Sequence, residues 1–210
     1  MTLHRRTFLK TAGLLAAGAS IAKPSLLAST GTKKNKLPKW RGFNLMDFYG
    51  VNDRPNRIKS TAEHFKWMQD WGFNFVRIPL SYPRYLSFDR TKNITPEEVY
   101  QIDERAIDEI DALVQLANKH NLHVSLNLHR APGYCVNSGF HEPYNLWRDE
   151  EAVKAFCFHW QMWAKRYQHT SSSKVSFDLV NEPSMREDMN QQLSPRKAVD
   201  GDVYYRVAKA

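Results

Sequence analysis

The sequence predicts an α/β fold of the (β/α)8 TIM-barrel type, of which only about the first four βα units are present. Apolar strand-like runs alternate with amphipathic helical stretches, with strands recurring about every 45 residues, which is typical of a parallel sheet. Polar residues follow the strand ends, as they do at the functional rim of a barrel. A full barrel needs about 250 residues, whereas the chain has 210. Residues 40–210 are therefore expected to be the N-terminal half of a barrel. A doubly wound sheet is the alternative, but no G-x-G-x-x-G motif follows a predicted strand.

Residues 1–28 are predicted to be an export signal. Arg5-Arg6 precede Phe8-Leu9-Lys10 and an apolar, small-residue run from Ala12 to Ala22, a pattern typical of a bacterial twin-arginine signal. An ordinary Sec signal or an uncleaved anchor is the alternative, although the run is short for a membrane span. Residues 29–39 are polar and basic, which indicates a linker. We therefore expect an exported bacterial protein, periplasmic or secreted, without a stable membrane span after signal removal.

The positive charge of the chain is confined to its N-terminal part. The net charge is +8, but residues 1–41 hold nine Lys or Arg and no Asp or Glu. The remainder holds 21 basic and 22 acidic residues, so a nucleic-acid partner is not expected. Neither a Walker loop nor a Cys/His zinc spacing is present in the sequence, and no cofactor or metal is expected.

Four apolar runs are predicted to be strands. The first is Arg41–Leu45. The second, Phe73–Ile78, is expected to stop at Pro79, because proline cannot donate to a sheet ladder. The third is His123–Leu128 and the fourth is Lys174–Val180. No hairpin signal separates these runs, so we expect a parallel sheet with right-handed crossovers.

The segments between the strands are predicted to be helices. The first begins at a capping box, Ser60-Thr61-Ala62-Glu63, and Gly72 suits its end. The second begins at Thr95-Pro96-Glu97-Glu98, with proline at the first helical position. A last helix begins at Val203. The supporting apolar stripes are Phe65, Met68 and Trp71 in the first helix, Ile102, Ala106, Ile110, Leu113 and Ala117 in the second, and Val153, Phe156, Trp160, Trp163, Ala164 and Tyr167 in a third.

The fourth strand ends on Asn181-Glu182-Pro183. Pro183 cannot donate a ladder bond, so pairing is expected to end there, and it favours extended geometry at Glu182. An amide and a carboxylate are thus held at the C-terminal tip of a strand, where parallel barrels place their chemistry. The polar candidates at the other strand ends are Asn44 and Asp47 after the first, Arg77 in the second and His129 after the third.

Four stretches in this order resemble glycoside hydrolase family 5, the cellulase-type retaining β-glycosidases. They are Arg41-Gly42-Phe43-Asn44-Leu45, Phe75-Val76-Arg77-Ile78-Pro79, Leu126-Asn127-Leu128-His129-Arg130-Ala131-Pro132-Gly133 and Asn181-Glu182-Pro183. The resemblance covers roughly residues 40–210. It implies hydrolysis of β-glycosidic bonds in a polysaccharide or oligosaccharide of the glucan, cellulose or mannan type.

The resemblance also implies roles for four residues. Glu182 would be the general acid/base, and Asn181 would bind the 2-hydroxyl of the sugar being cleaved. Arg77 would lie near the nucleophilic carboxylate and keep it ionised. His129 would bind sugar hydroxyls or orient a carboxylate. Strand parity leaves a buried Arg77–Asp178 ion pair as a structural alternative.

Further candidates for glycan binding lie in the loops after the first and third strands. Asp47 is a candidate ligand for the bound glycan. Tyr134, Tyr144 and Trp147 are candidates to stack on sugar rings, which present apolar faces to aromatic side chains.

The second carboxylate of a retaining glycosidase is expected outside this sequence. The family supplies it from the end of the seventh strand, which would follow Ala210. Glu142 is the loop glutamate best placed to imitate it, and we do not expect it to do so. The fragment itself is therefore expected to be inactive, with a missing C-terminal barrel half as its partner and a β-linked glycan as substrate. A non-catalytic carbohydrate-binding relic is the alternative. A Schiff-base lyase is disfavoured, because no lysine lies at a C-terminal strand end.

Two structural expectations complete the sequence reading. An exported protein can form disulfides, so Cys135 and Cys157 are candidates to pair. Val124, Leu126 and Phe177 are expected to point into the barrel interior without a facing layer, and the two open sheet edges predict association or a molten state of the half alone.

Overall fold

The structure is a computed structural model that describes residues 37–52, 56, 58–137, 139–186 and 196–210. The predicted signal, residues 1–28, and most of the predicted linker lie outside the described residues. Within the described part of the chain, no helix is long and apolar enough to cross a membrane. The elements below belong to the unit Lys39–Ala210.

Four parallel strands form the sheet in the order β1-β2-β3-β5, as the sequence predicted. A short strand, β4, turns back antiparallel onto the end of β3. A separate antiparallel pair, β6 with β7, follows β5. The strands are β1 Gly42–Asn44, β2 Phe75–Ser81, β3 His123–Ala131, β4 Tyr134–Cys135, β5 Val175–Asp178, β6 Ser184–Arg186 and β7 Arg196–Ala198; the helices are α1 Ala62–Asp70, α2 Glu104–Lys119, α3 Glu150–Arg166 and α4 Gly201–Lys209.

The two faces of the sheet differ in character. Val124 and Leu126 are fully buried in the core shared by strands and helices. Phe177, opposite Leu126 in the register, contacts Trp160 of α3 with ring centroids 5.4 Å apart. The prediction that Val124, Leu126 and Phe177 face the barrel interior was therefore wrong. The alternate residues, including Asp178, face the interior, because parallel strands covered by helices bury their apolar side chains on the helix side.

β2 runs through Pro79, where the sequence predicted that it would stop. The Arg77 carbonyl accepts from the Leu45 N–H at 2.8 Å, and the Ser81 N–H donates to the Phe48 carbonyl at 2.9 Å. Alternate residues of β2 therefore face β1 and the loop after it. Pro79 lies between these two positions, on the side where β1 has already ended, so its missing N–H costs no ladder bond.

α1 begins after Thr61, one residue later than predicted. The Thr61 N–H donates to Nδ1 of His64 at 3.1 Å, so the reciprocal partner at the third helical position is a histidine instead of a glutamate. Ser60 instead bonds to the loop after β1. Phe65 of the predicted stripe is fully buried, whereas Trp71 is 70% exposed because the helix ends one residue before it.

α2 begins only after Asp103, later than predicted. Thr95 and Glu98 do form the reciprocal bonds of a capping box, at 2.9 and 3.3 Å, but these introduce a single 3-10 turn. Ile102, after this turn, then forms an antiparallel β-bridge with Leu86, so the helix cannot begin before this residue. The Asp103 carboxylate caps α2 by accepting from a backbone N–H at 3.1 Å.

His159 of α3 is fully buried in the core. Its Nε2 bonds to the Val99 carbonyl at 3.0 Å, which places the proton on Nε2, so Nδ1 accepts from the Tyr85 hydroxyl at 3.2 Å. The same hydroxyl accepts from Nε1 of Trp163 at 3.4 Å. Burial lowers the pKa of His159 to about 3, so the ring is neutral at physiological pH.

The loops after β3 and β5 contain antiparallel strands that the sequence did not indicate. β4 places Tyr134 opposite Ala131, and β6 pairs with β7 across a segment of the chain. No disulfide joins Cys135 of β4 to Cys157 of α3. Both side chains remain thiols, and Cys157 lies on a half-buried helix position.

Candidate active site

Arg77 of β2 connects the ends of β1 and β5 at the interior face of the sheet. Its Nε donates to Oδ2 of Asp178 at 2.9 Å, and its Nη2 donates to Oδ1 of Asn181 at 2.9 Å. Nη1 lies 3.4 Å from Oδ1 of Asn44. The ion pair inferred from strand parity is confirmed, although it is half-open to solvent: 21% of the Arg77 side chain and 41% of the Asp178 side chain are exposed.

Asn181 is buried and its amide has a defined orientation. The backbone N–H donates to the Leu128 carbonyl at 3.2 Å, and Oδ1 accepts from Arg77. Because Arg77 can only donate, it fixes which end of the amide is oxygen. Nδ2 is buried and has no hydrogen-bond partner within the described residues. The site therefore holds an oriented amide donor that bonds to none of the described residues.

Glu182 follows Asn181 and its side chain is exposed. Its φ is +44°, so the prediction that Pro183 holds it in extended geometry was wrong. A left-handed conformation costs a non-glycine residue about 1–2 kcal/mol, and hydrogen bonds to the neighbouring backbone offset this cost. The Tyr134 hydroxyl donates to the Glu182 carbonyl, and the Ser184 N–H donates to the same hydroxyl at 3.0 Å.

Tyr134 and Trp147 lie beneath this loop and are not open to a sugar. Tyr134 is 1% exposed and Trp147 is 3% exposed. Their rings meet edge to face with centroids 4.9 Å apart, and Nε1 of Trp147 donates to the Ser184 carbonyl at 2.9 Å. The prediction that they stack on the glycan is corrected, because each ring is covered by protein. Tyr144, the third aromatic candidate of this loop, is half-buried.

His129 lies at the end of β3 against Tyr49, with ring centroids 4.4 Å apart. Asn137 Nδ2 lies 3.4 Å from His129 Nε2 and donates to the Tyr49 hydroxyl at 2.5 Å. Burial and the nearby positive charges of Arg77 and Arg130 lower the pKa of His129 to about 4, so the ring is neutral. With Nε2 accepting from the amide, the ring proton is on Nδ1, which is buried without a partner in the described chain.

Sequence reasoning missed Tyr49 and Asn137. Tyr49 comes soon after β1 and Asn137 soon after β4, so the rule that functional residues follow strand ends could have identified both. Their signal was weak because neither belongs to a motif that stands out in a single sequence.

Asp47 anchors the loop after β1. Its two carboxylate oxygens accept from the Ser60 N–H at 2.7 Å and from the Ser60 hydroxyl at 2.8 Å. Both oxygens are already engaged by the residue that precedes the N-cap of α1. We therefore assign Asp47 to this anchor instead of to glycan binding.

Glu142 is buried in a network of its own. It forms an ion pair with Arg130 at 2.8 Å, with 2% of its side chain and 8% of that of Arg130 exposed. The Tyr82 hydroxyl donates to it at 2.6 Å and the Gly133 N–H at 3.3 Å. Burial raises the pKa of Glu142, although Arg130 and Tyr82 oppose the shift. A carboxylate committed in this way is not a free nucleophile, in agreement with the sequence expectation.

A metal centre is not indicated by the described side chains. Across these residues, no group of three His, Cys, Asp or Glu side chains is arranged to hold a metal ion. The site consists instead of hydrogen-bond donors, the Asp178 carboxylate bound by Arg77 and the exposed carboxylate of Glu182, at the C-terminal ends of parallel strands. This is the location of active sites in barrel enzymes.

The family model described as Cellulase (glycosyl hydrolase family 5) matches residues 29–201. The chain belongs to glycoside hydrolase family 5. Cellodextrinase A of Ruminococcus flavefaciens is 31% identical over 118 residues, covering 56% of this chain and 31% of that protein. Endoglucanase C of Acetivibrio thermocellus is 30% identical over 122 residues, covering 58% of this chain and 32% of that protein.

Solved structures agree with the family 5 assignment. A crystal structure of a glycoside hydrolase matches with a TM-score of 0.65 and 32% identity, covering 82% of this chain and 48% of that one. Endoglucanase Cel5A of Thermotoga maritima matches with a TM-score of 0.50 at 23% identity, covering 69% of this chain and 40% of that one, and supports the fold. The family 5 chain thus spans about a third of the curated relatives it matches and about half of the first solved structure.

The barrel-type fold predicted from the sequence is confirmed by these matches. The parallel order β1-β2-β3-β5, with helices on one face, corresponds to part of a (β/α)8 barrel. Its family 5 relatives include proteins named cellodextrinase, endoglucanase and probable glucan 1,3-beta-glucosidase, and the family is one of glycoside hydrolases.

Proposed function

We propose that this family 5 protein hydrolyses β-glycosidic bonds by a retaining double displacement, with Glu182 as the acid/base. One observation carries the proposal. Arg77 holds Asn181 at the end of β5 with its amide donor unpartnered within the described chain, directly before the exposed carboxylate of Glu182. An oriented donor next to a carboxyl group at this rim suits a bond cleaved beside a sugar hydroxyl.

The proposed chemistry divides between two steps. In the first, protonated Glu182 gives its proton to the glycosidic oxygen as the bond to the anomeric carbon breaks. In the second, the resulting carboxylate takes a proton from the water that releases the sugar. Asn181 Nδ2 would donate to the 2-hydroxyl oxygen in both steps, and Nδ1–H of His129 would donate to another hydroxyl.

We infer that the nucleophile comes from residues that the structure does not describe. A retaining enzyme needs a second carboxylate about 5–5.5 Å from the acid/base. Among the described carboxylates next to this rim, Asp178 is bound by Arg77 and Glu142 is buried against Arg130. We infer that a C-terminal barrel half supplies the nucleophile and that the 210-residue chain alone does not turn over substrate.

We propose a β-glucan as the substrate class. The relatives include a cellodextrinase, an endoglucanase and the probable glucan 1,3-beta-glucosidase A of Emericella nidulans, which is 26% identical over 158 residues and covers 71% of this chain and 36% of that protein. These names agree on β-linked glucose and differ in linkage.

A second candidate function is glycan binding without catalysis. The donors of Asn181 and His129 are available while the neighbouring described carboxylates are engaged. The chain would then bind a β-glucan oligosaccharide and leave it intact.

The test compares the chain alone with the chain co-expressed with a C-terminal family 5 half-barrel. Hydrolysis of an aryl β-glucoside and of a soluble β-glucan is measured for the wild type, for E182Q and for N181A. We expect activity only in the complemented protein, with losses of about a hundredfold or more in E182Q, since acid/base catalysis contributes about 10²–10⁴-fold.

Two results would contradict the proposal. Complemented activity that is equal in wild type and E182Q would remove Glu182 from the reaction. Strong activity of the chain alone, abolished by E182Q, would show that the nucleophile lies within these residues or across a dimer. Oligosaccharide binding by calorimetry, without hydrolysis in either form, would favour the second candidate.

A further inference from the structure

The loop that carries Glu182 is held by two buried aromatic side chains. We propose that Tyr134 and Trp147 are positioning residues that fix the backbone of Glu182 and Ser184 and thereby set the location of the Glu182 carboxylate. The importance of that location rests on the proposed function, whereas the clamp itself is a property of the fold.

The Tyr134 hydroxyl uses its full hydrogen-bonding capacity on this loop. It donates its single proton to the Glu182 carbonyl and accepts from the Ser184 N–H at 3.0 Å. The Ser184 hydroxyl lies 3.2 Å away and can donate to the second lone pair. One side chain thus joins the backbone on both sides of Pro183.

Trp147, which lies between β4 and α3, holds the same loop through a second set of contacts. Its Nε1 donates to the Ser184 carbonyl at 2.9 Å, and its ring packs edge to face against Tyr134 at 4.9 Å. The Trp147 carbonyl accepts from Nη2 of Arg206 at 3.1 Å, which links the clamp to α4. Ser184 is therefore bound through its N–H by Tyr134 and through its carbonyl by Trp147.

The loop needs this support because its conformation is unfavourable on its own. Glu182 has φ +44°, a region that residues with a side chain rarely adopt. Pro183 has no N–H and cannot close a turn by donating a hydrogen bond. Arg77 bonds to the side chain of Asn181, one residue before Glu182. The bonds to Tyr134 and Trp147, together with the pairing of β6 with β7 that begins at Ser184, hold the backbone on both sides of Pro183.

The two aromatic residues are brought together by a close backbone approach between Gly133 and Leu146. Gly133 has φ +73°, and a Cβ atom there would lie 2.6 Å from the Leu146 nitrogen. The Leu146 N–H donates to the Gly133 carbonyl at 3.0 Å. Tyr134 follows Gly133 and Trp147 follows Leu146, so this close approach places the two aromatic side chains next to each other.

The experiment uses the 210-residue protein and the variants Y134F and W147F. Y144F is the matched control, because the Tyr144 hydroxyl is buried and has no partner within the described residues. Amide hydrogen exchange at Ser184 and the carboxyl-carbon resonance of Glu182 are followed by NMR, together with thermal unfolding. Hydrolysis by the complemented form gives kcat and KM separately.

We expect Y134F to accelerate Ser184 exchange at least tenfold while core amides change little. The Glu182 carboxyl-carbon resonance should shift or broaden in Y134F and W147F, and Y144F should match the wild type. In the complemented form kcat should fall about tenfold to a hundredfold with KM nearly unchanged, since small displacements of a reacting group cost this much.

Unchanged Ser184 exchange and an unchanged Glu182 resonance in both variants would overturn the proposal. Acceleration of all amides by the same factor would also overturn it, because it would indicate general destabilisation. If Y134F does not fold, the proposal is tested by the Ser184 exchange rate and the Glu182 resonance of W147F, each compared with the wild type. Failure of the proposed function can be distinguished from failure of the clamp. In the first case E182Q would leave hydrolysis unchanged, while Y134F would still accelerate amide exchange at Ser184.

Discussion

Arg77 and Asn181 are 104 residues apart in the chain, yet Nη2 of the arginine lies 2.9 Å from Oδ1 of the asparagine. The bond joins β2 to the end of β5 across β3. Because the guanidinium group also binds Asp178, one side chain fixes both the end of the last parallel strand and the direction of the Asn181 amide. Fold and site therefore share this contact.

Replacement of Arg77 by lysine should weaken oligosaccharide binding more than it weakens the fold. A lysine ammonium cannot serve Asp178 and Asn181 with the planar geometry of a guanidinium group, so the amide becomes free to rotate. We expect binding of a β-glucan oligosaccharide to fall about tenfold and unfolding stability to fall by about 1 kcal/mol, since the ion pair is half-exposed. Calorimetry and urea unfolding measure the two effects. R105K, at a side chain that is 93% exposed, is the control and should change neither.

Acid should destabilise the protein through His159. Its pKa is lowered to about 3 in the fold, while an unfolded chain has a histidine pKa near 6.5. Below about pH 6.5 the unfolded state therefore binds a proton that the folded state does not, and stability falls by up to about 1.4 kcal/mol per pH unit. His129, with a pKa of about 4, adds to the same slope.

The variant H159Q should be less stable than wild type at pH 8 but should lose less stability between pH 6 and pH 4. Glutamine can donate to the Val99 carbonyl and accept from Tyr85 without titrating. Urea unfolding at several pH values measures the slope. H169Q, at an exposed position, should keep the wild-type slope; equal slopes in wild type and H159Q would contradict the prediction.

Replacement of Glu142 by glutamine should destabilise the fold, because it leaves the buried Arg130 charge uncompensated. We expect a loss of about 3–5 kcal/mol, measured by urea unfolding. The double variant R130M/E142Q should recover part of this loss, since it removes the isolated charge. An additive double variant would indicate that the pair does not interact. A large activity loss in E142Q at unchanged stability would reopen the case for Glu142 as a nucleophile.

Export should depend on the arginine pair of the predicted signal. We propose that Arg5-Arg6 with Phe8-Leu9-Lys10 directs the protein through the twin-arginine route. The variant R5K/R6K should therefore accumulate in the cytoplasm when cell fractions are compared. Unchanged export would indicate the ordinary Sec route. The control is the variant K33Q/K34Q, which changes two lysines outside the predicted signal.

The order of the strands could be predicted because each strand is a separate apolar run and the parallel arrangement follows from the helices between them. Strand ends were less predictable. Whether Pro79 stops β2 depends on where the neighbouring strand ends, which is a property of the sheet. The start of α2 was misplaced because the box at Thr95 and Glu98 is real but caps only a short turn.

Part of the arrangement at the strand ends was predictable. Arg77 meets Asp178 on the face that strand parity indicated, and Asn181 and Glu182 follow β5 as expected. The buried position of Tyr134 and Trp147 was not predicted, because aromatic residues in a loop after a strand suit a sugar platform as well as a core. The positive φ of Glu182 was not predicted for a related reason. The preference for extended backbone before a proline reflects local steric contacts, whereas here the Tyr134 hydroxyl and the Trp147 indole, distant in sequence, bond to the loop backbone.

The unequal length of the strand pairings bears on how the chain folds. β2 and β3 pair from Phe75 and His123 to Ser81 and Arg130, whereas β1 pairs with β2 only along Gly42–Asn44 and β5 pairs with β3 only along Val175–Asp178. The unit β2-α2-β3 is contiguous in sequence, so the entropy lost in closing the loop between its strands is small compared with that of more distant pairings. We expect it to form the folding nucleus. β1 and β5, with the acid/base beyond it, would then be the last strands to dock and the first to detach.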